Sequence, residues 1–451
     1  MTPIRLRLCV AIFSPVLLAS ACANAVDQEI PVSFTVPSTV ELAEPAPIRI
    51  EGLSSGEQVI IILERADDWS PAMLRQSQTT YIAGPDGAVD TSRSTPSGGA
   101  FEGADTFGLF WSMTRTQEDA TEFSPGEVRV TIDVGGNGEV DHEATILLSL
   151  GAGVTTTSPL DGFPGAFLTM PKDKGADLLP VVVVLGGSEG NDFTARFMAP
   201  RLSQLGYAVL GLPYYSPVYY GNDQRFPNLP SAFAKLPVDY VEQAIAEVRT
   251  VDGVDPERVA LYGVSKGAEL ALLAASLIPD EEQGGGYCAV AAVVPSDVVW
   301  AGWGREADQA YASFSYQGQG LPFVPHIGME EAISRRSRGE NVSFRVPQDK
   351  GREAFPERVP NARIEVESID EPVLLLGGDA DDTWDSGGMA RNIDAARRAL
   401  GLPTTTLVYP EAGHGLSGSG YLPGDEATAK ARAEAYPILI DFLEKACREA
   451  R

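Results

Sequence analysis

Between residues 28 and 150, apolar and polar positions alternate in short runs: "VSFTV", "PIRIEGL", "QVIIILER", "VRVTIDV" and "ATILLSL". Turn-forming stretches such as Pro85-Asp86-Gly87 and Gly135-Gly136-Asn137-Gly138 separate them. A period of two sends successive side chains to opposite faces of a strand, so one face of each run can be buried while the other stays wet. The pattern predicts an Ig-like antiparallel β-sandwich domain over 28–150.

From about 155 onward the pattern becomes α/β. Continuous apolar runs of four to seven residues recur: "AFLTM", "VVVVL", "YAVLGL", "RVALY", "AVAAVV", "PVLLLG" and "TTLVYP". Segments of helical periodicity lie between them near 194–205, 238–250, 267–278 and 388–400, with a last one near 427–447. Strands buried on both faces read as unbroken apolar runs, so 155–451 predicts a mainly parallel sheet covered by helices on both sides. The stretch 297–365 breaks the alternation and carries Trp300, Trp303, Tyr311, Phe314, Tyr316 and Phe323. An insertion behind a strand end predicts a cap over a site, with these aromatics lining it.

The chain has 34 basic and 62 acidic residues, a net charge of −28. That balance repels phosphate backbones and anionic membrane surfaces and excludes nucleic acid as a partner. The first residues, "MTPIRLRLCVAIFSPVLLASACANA", run from Arg5 and Arg7 through a short apolar stretch to Ala23-Asn24-Ala25. That is the order of a secretory signal over 1–25, which predicts an exported protein, periplasmic or extracellular. "LASAC" offers a second reading, a membrane-anchored lipoprotein acylated at Cys22. No apolar stretch is long enough to predict a transmembrane span. After removal of 1–25 two cysteines remain, Cys288 and Cys447, which make no disulfide framework and read as buried thiols. His142, His326 and His414 are scattered, no Cys/His cluster has zinc spacing, and neither metal nor cofactor is expected.

Two segments have the form G-x-S-x-G, Gly186-Gly187-Ser188-Glu189-Gly190 behind "VVVVL" and Gly263-Val264-Ser265-Lys266-Gly267 behind "VALY". In an α/β-hydrolase the earlier strand-to-helix crossing supplies oxyanion-binding amides and the later one a nucleophile on a strained turn. Leu270, Leu273, Ala274 and Leu277 fall at helical spacing after Ser265, so this serine sits where strand gives way to helix. A serine hydroxyl needs a base, and the base needs a carboxylate to fix its tautomer, in the chain order Ser, Asp, His. His414 follows the final strand in the glycine-flanked loop "EAGHGL", whereas His326 falls in the insertion. "GGDADDTW" offers the acid, with Asp381 favoured, Asp382 as the alternative and Asp379 read as a loop residue. The backbone amides of Gly187, Ser188 and Lys266 are the candidates for the oxyanion hole. The Lys266 side chain reads as solvated, with contact to an anionic substrate as the alternative.

On these residues the chain resembles the acyl-CoA thioesterase and bile acid-CoA:amino acid N-acyltransferase family. "GAVDTSRSTPSGGAFEGADTFGLFWSM", residues 87–113, is similar to that family's β-sandwich signature. "VLGGSEG", "YGVSKGAELAL", "GGDADDTWDS" and "EAGHGL" are similar to family segments and stand in family order. The resemblance implies Ser265 as nucleophile, Asp381 as acid, His414 as base, and an acyl thioester or ester as substrate. Members that transfer the acyl group to an amino acid carry cysteine where Ser265 stands, so the resemblance implies thioester hydrolysis. Coenzyme A thioesters are cytoplasmic, and an export signal leaves an alternative: an exported carboxylesterase or acyltransferase using a donor other than CoA.

Overall fold

The computed structural model describes residues 31–449 apart from 41–44, 68–70, 149–152, 174, 176, 219–222, 279–285 and 305–310. The 1–25 segment with Cys22 lies outside the described residues.

The first domain packs two sheets. Ser33–Thr35, Arg49–Glu51 and Ala88–Asp90 form the smaller one. The larger is built on the long pairing of Gln58–Ala66 with Met73–Ile82, flanked by Glu127–Val134 and His142–Leu148. Val59, Ile61 and Leu63, two apart, share one core with Ile50 and Val89 of the smaller sheet and with Ile48 just before it. The pairing of Leu147–Leu148 with Thr39–Val40 departs from the expected antiparallel pattern and is parallel. The 87–113 stretch ends in a helical turn, Gly108–Trp111. Phe107 and Phe110 there stand edge-on to Tyr421 of the second domain, centroids 4.7 Å away in each case. The sandwich core thereby runs into the chain that follows His414.

The second domain is one eight-stranded sheet, numbered here β1 (Val154–Thr157), β2 (Phe167–Pro171), β3 (Leu179–Leu185), β4 (Ala208–Gly211), β5 (Val254–Val264), β6 (Tyr287–Val293), β7 (Val373–Gly378) and β8 (Thr404–Tyr409). The spatial order is β1-β2-β4-β3-β5-β6-β7-β8. β2 runs antiparallel to its neighbours, and β4, β3 and β5 to β8 are parallel. This is the α/β-hydrolase arrangement. The helices are α1 (Phe193–Gln204), α2 (Asp239–Val248), α3 (Lys266–Leu277), α4 (Met329–Ser337), α5 (Arg345–Ala354), α6 (Ser386–Ala399) and α7 (Glu426–Glu444).

All seven residues of β3 are buried, because both faces are covered. Val181, Val183 and Leu185 meet α2, α3 and α6, while Val182 and Val184 meet α1 and α7. The chain from Asp297 to Glu365 leaves the sheet and carries α4 and α5. Among the described residues no helix is long and apolar enough to cross a membrane.

One expectation is corrected. Cys288 on β6 and Cys447 beyond α7 are not free thiols but form a disulfide. The folded sheet brings them together across 159 residues of chain, a distance over which sequence spacing carries no signal. Closing so long a loop removes much unfolded-state entropy, for an upper bound of ~5 kcal/mol. Reducing the bond, or Cys447→Ser, is expected to lower unfolding stability by about 2–5 kcal/mol in denaturant titrations. Coincident curves for reduced and oxidised protein would show the bond to be dispensable.

Candidate active site

β5 ends at Val264 and α3 begins at Lys266, which leaves Ser265 alone in the turn with φ 55° and ψ −120°. A non-glycine residue there is strained and persists only when its surroundings hold it. The flanking glycines let those surroundings close in. A Cβ at Gly263 would lie 2.2 Å from the Gly267 carbonyl oxygen, and one at Gly267 would lie 2.2 Å from that of Leu185. The Ser265 N–H donates to the Val293 carbonyl at 2.9 Å, tying the turn to β6.

His414 and Asp381 reach this serine from the ends of β8 and β7. His414 Nε2 lies 2.9 Å from Ser265 Oγ, and its Nδ1 lies 2.8 Å from Asp381 Oδ2. Asp381 is buried, and its Oδ1 accepts from the N–H groups of Thr383 at 2.9 Å and Trp384 at 3.2 Å. Asp382 is exposed, and Asp379 pairs with Arg391, so neither neighbour reaches the imidazole. The loop bearing His414 is clamped by α7. Thr428 Oγ1 accepts from the Gly413 N–H at 2.8 Å, and buried Arg432 donates to the carbonyls of Gly415, Ser419 and Leu422. Burial pushes the Arg432 pKa down to about 10. Arg432 gave no signal in the sequence, because nothing local distinguishes a buried helix arginine from a solvated one. His142 is far from this constellation, stacked on Phe34 at 4.6 Å in the first domain.

The "GGSEG" loop lies against the elbow: a Cβ at Gly187 would sit 3.1 Å from that of Ser265. The Tyr214 hydroxyl donates to the Gly186 carbonyl at 2.7 Å and so fixes the loop. The three expected amide donors differ here. The Gly187 N–H donates to Glu189 Oε1 at 3.0 Å. A carboxylate two residues on competes for the amide, and the same carboxylate oxygen accepts from Thr194 at 2.5 Å. The Lys266 amide opens α3, where an N–H has no partner within the helix, and Ser188 lines the cavity beside Ser265.

The Lys266 side chain is not solvated, contrary to expectation. It is buried, with Nζ 2.5 Å from Glu269 Oε2 and 2.9 Å from Ser313 Oγ, among the rings of Phe233, Trp303 and Phe314. Glu269 Oε1 also accepts from the Trp300 N–H at 3.3 Å. Burial pushes the lysine pKa down and the glutamate pKa up, and their mutual attraction opposes both shifts. The pair fastens the elbow helix to the 297–365 insertion.

A cavity of about 200 Å³ opens at Ser265, and the insertion supplies most of its wall. Trp300 and Trp303 line it as expected, together with Met329, Ile333 and Phe344. The other aromatics behave differently: Phe314 is core, while Tyr311, exposed, and the partly buried Tyr316 and Phe323 do not line the cavity. No described lining residue comes from the first domain.

His326 also lines the cavity, buried and stacked on Trp300 at 5.6 Å. Burial, then the nearby Lys266 charge, push its pKa down from 6.5 to about 3. The folded protein therefore holds His326 neutral, while the unfolded chain protonates it below pH 6.5. This stability is present above that value and is lost as pH falls toward the folded one, by ~2 kcal/mol between pH 7 and pH 5. Denaturant titrations at both pH values are expected to show a smaller loss for His326→Phe than for the parent. Equal losses would place the acid sensitivity elsewhere.

Comparison with known proteins places both domains. The model described as acyl-CoA thioester hydrolase/BAAT N-terminal region matches residues 43–147, and that of the BAAT / acyl-CoA thioester hydrolase C terminal matches 236–440. Acyl-coenzyme A thioesterase 1 of Mus musculus is 25% identical over 383 residues, 82% of this chain and 82% of its own. Acyl-coenzyme A thioesterase 6 of the same organism is 25% identical over 396 residues, 85% of each chain. Among solved structures, the Pyrococcus furiosus esterase Pf2001 is similar over 62% of this chain and 87% of its own, at 15% identity and a TM-score of 0.37. The two halves of one family thus fall on the two domains in order, and the chain belongs to the acyl-CoA thioester hydrolase/BAAT family.

Proposed function

We propose that the protein is a serine hydrolase that cleaves an acyl thioester or ester through an acyl-enzyme on Ser265. The observation that carries this reading is the unbroken run from Asp381 through His414 to Ser265, at 2.8 and 2.9 Å, opening on the cavity. Ser265 Oγ attacks the carbonyl carbon while His414 Nε2 takes its proton, and Asp381 holds the Nδ1–H tautomer. The oxyanion is held by the Lys266 N–H and the Ser188 amide; each such donor contributes about 2.7–4 kcal/mol. The intermediate collapses as His414 returns the proton to the departing sulfur or oxygen. Water, deprotonated by His414, then attacks the acyl-enzyme and releases the acid and the serine.

The disulfide favours a second reading of the leaving group. Such bonds persist in oxidising compartments, where coenzyme A esters are scarce. That agrees with export and with an oxygen ester or another acyl donor.

The test is a panel of acyl-CoA, acyl-N-acetylcysteamine and oxygen esters of two to sixteen carbons, with Ser265→Ala as the blank. Hydrolysis of at least one of these esters is expected, and none is expected with Ser265→Ala. Hydrolysis undiminished in Ser265→Ala would sink the reading, and preference among leaving groups decides between thioesterase and carboxylesterase.

A further inference from the structure

We propose that Arg345, on the insertion, is a positioning residue for the triad acid and fixes the loop that presents Asp381. This rests on the hydrolase reading above. The loop, 379–385, joins the end of β7 to the start of α6. It is tied to the base on one side, where the Ala380 N–H donates to the carbonyl of Ala412 at 3.2 Å, two residues before His414. The insertion ties the other side. Arg345 opens α5, and its own N–H donates to the Asp382 carbonyl at 2.9 Å. Its guanidinium donates from Nη1 to the Asp379 carbonyl at 3.3 Å, and Nη2 lies 3.0 Å from Asp385 Oδ1. Ser343 Oγ adds a bond to the Asp382 carbonyl at 2.8 Å.

One side chain thus holds both ends of the loop, two residues before Asp381 and four after it. That matters because the carboxylate of Asp381 takes its direction from the loop backbone, through the N–H groups of Thr383 and Trp384. The loop also carries four carboxylates, Asp379, Asp381, Asp382 and Asp385, whose mutual repulsion favours an open path. Arg391 pairs with Asp379 from α6, while Arg345 faces Asp385 and, on its own helix, Asp349 at 3.4 Å. A planar fork can bond a carbonyl and a carboxylate at once, whereas a lysine keeps the charge and loses the fork. Displacing a catalytic group by about 1 Å can cost roughly a hundredfold in rate. Arg345 does not line the cavity, so its loss should fall on kcat rather than on KM.

The test is steady-state ester hydrolysis together with the rate at which an alkyl phosphonofluoridate modifies Ser265. Arg345→Ala is expected to lower kcat by about tenfold to a hundredfold with KM little changed, and to slow modification of Ser265 in parallel. Arg345→Lys should recover part of both rates. Arg391→Ala, which frees only the outer carboxylate of Asp379, should keep both close to the parent's. Parent-like kcat in Arg345→Ala, a loss confined to KM, an unchanged modification rate, or an equal loss in Arg391→Ala would overturn the proposal while leaving the hydrolase reading intact. Should Arg345→Ala not fold, Arg345→Lys and Ser343→Ala carry the test: each is expected to show a smaller loss in both rates, and parent rates in both variants would overturn it. A parent protein that neither hydrolyses an ester nor is modified at Ser265 would remove the hydrolase reading itself.

Discussion

Ser265→Ala is expected to lower kcat for ester hydrolysis by at least ~10⁴-fold while leaving unfolding stability within about 0.5 kcal/mol. The side chain loses only a hydroxyl whose partner is His414 at 2.9 Å. Alanine tolerates the φ of 55° no better and no worse than serine, so the strain of the turn is retained. Nucleophile and base act as one unit, and for that reason His414→Ala is expected to lose a comparable factor. The double variant then loses little more than either single one. Steady-state kinetics on the three proteins check this, and multiplicative losses would mean that the two residues act in separate steps.

Glu269→Leu is expected to be the most damaging single substitution for stability, at about 3–5 kcal/mol. It strands the Lys266 ammonium, 3% exposed, among Phe233, Trp303 and Phe314 with only the Ser313 hydroxyl left to it. Adding Lys266→Met removes the stranded charge, and the double variant should recover most of the loss, since buried ion pairs often exchange for apolar groups at little net change. Urea titrations of both variants supply the measurement. A double variant as unstable as Glu269→Leu alone would mean that Glu269 acts chiefly through the Trp300 N–H and the insertion.

What the sequence revealed of this molecule follows from how locally each feature is encoded. β3 is buried on both faces, and that burial writes itself as "LPVVVVL". The elbow was legible because close packing at Gly263 and Gly267 leaves no room for a Cβ, and because an apolar strand precedes Ser265 and a helix follows it. Lys266 was misread although Glu269 stands three residues on in the same helix. The i,i+3 spacing was visible, but burial of the pair comes from the insertion folding over it, which no local pattern reports. His326 and Gln348 lie in that same insertion, where lack of periodicity hides which side chains turn inward. The Cys288–Cys447 bond depends on the sheet bringing β6 next to the end of the chain. The hydrogen bond from the Gly187 N–H to Glu189 is likewise set by the fold of the loop and is not written in the sequence pattern.

The sandwich also gains a role from structure alone. Its Phe107 and Phe110 grip Tyr421, and the Trp111 carbonyl accepts from the Gly424 N–H at 3.0 Å, within the segment that joins His414 to α7. The first domain therefore braces the chain behind His414, and none of its described residues lines the cavity.

The central claim is that Ser265 carries the acyl group, and covalent trapping tests it most directly. The protein is treated with an alkyl phosphonofluoridate, digested, and its adduct located by mass spectrometry. The account predicts one adduct, on the peptide containing Ser265, absent in Ser265→Ala and formed far more slowly in His414→Ala. An adduct on Ser188, the serine of the other G-x-S-x-G segment, or full inactivation with Ser265 unmodified, would contradict it.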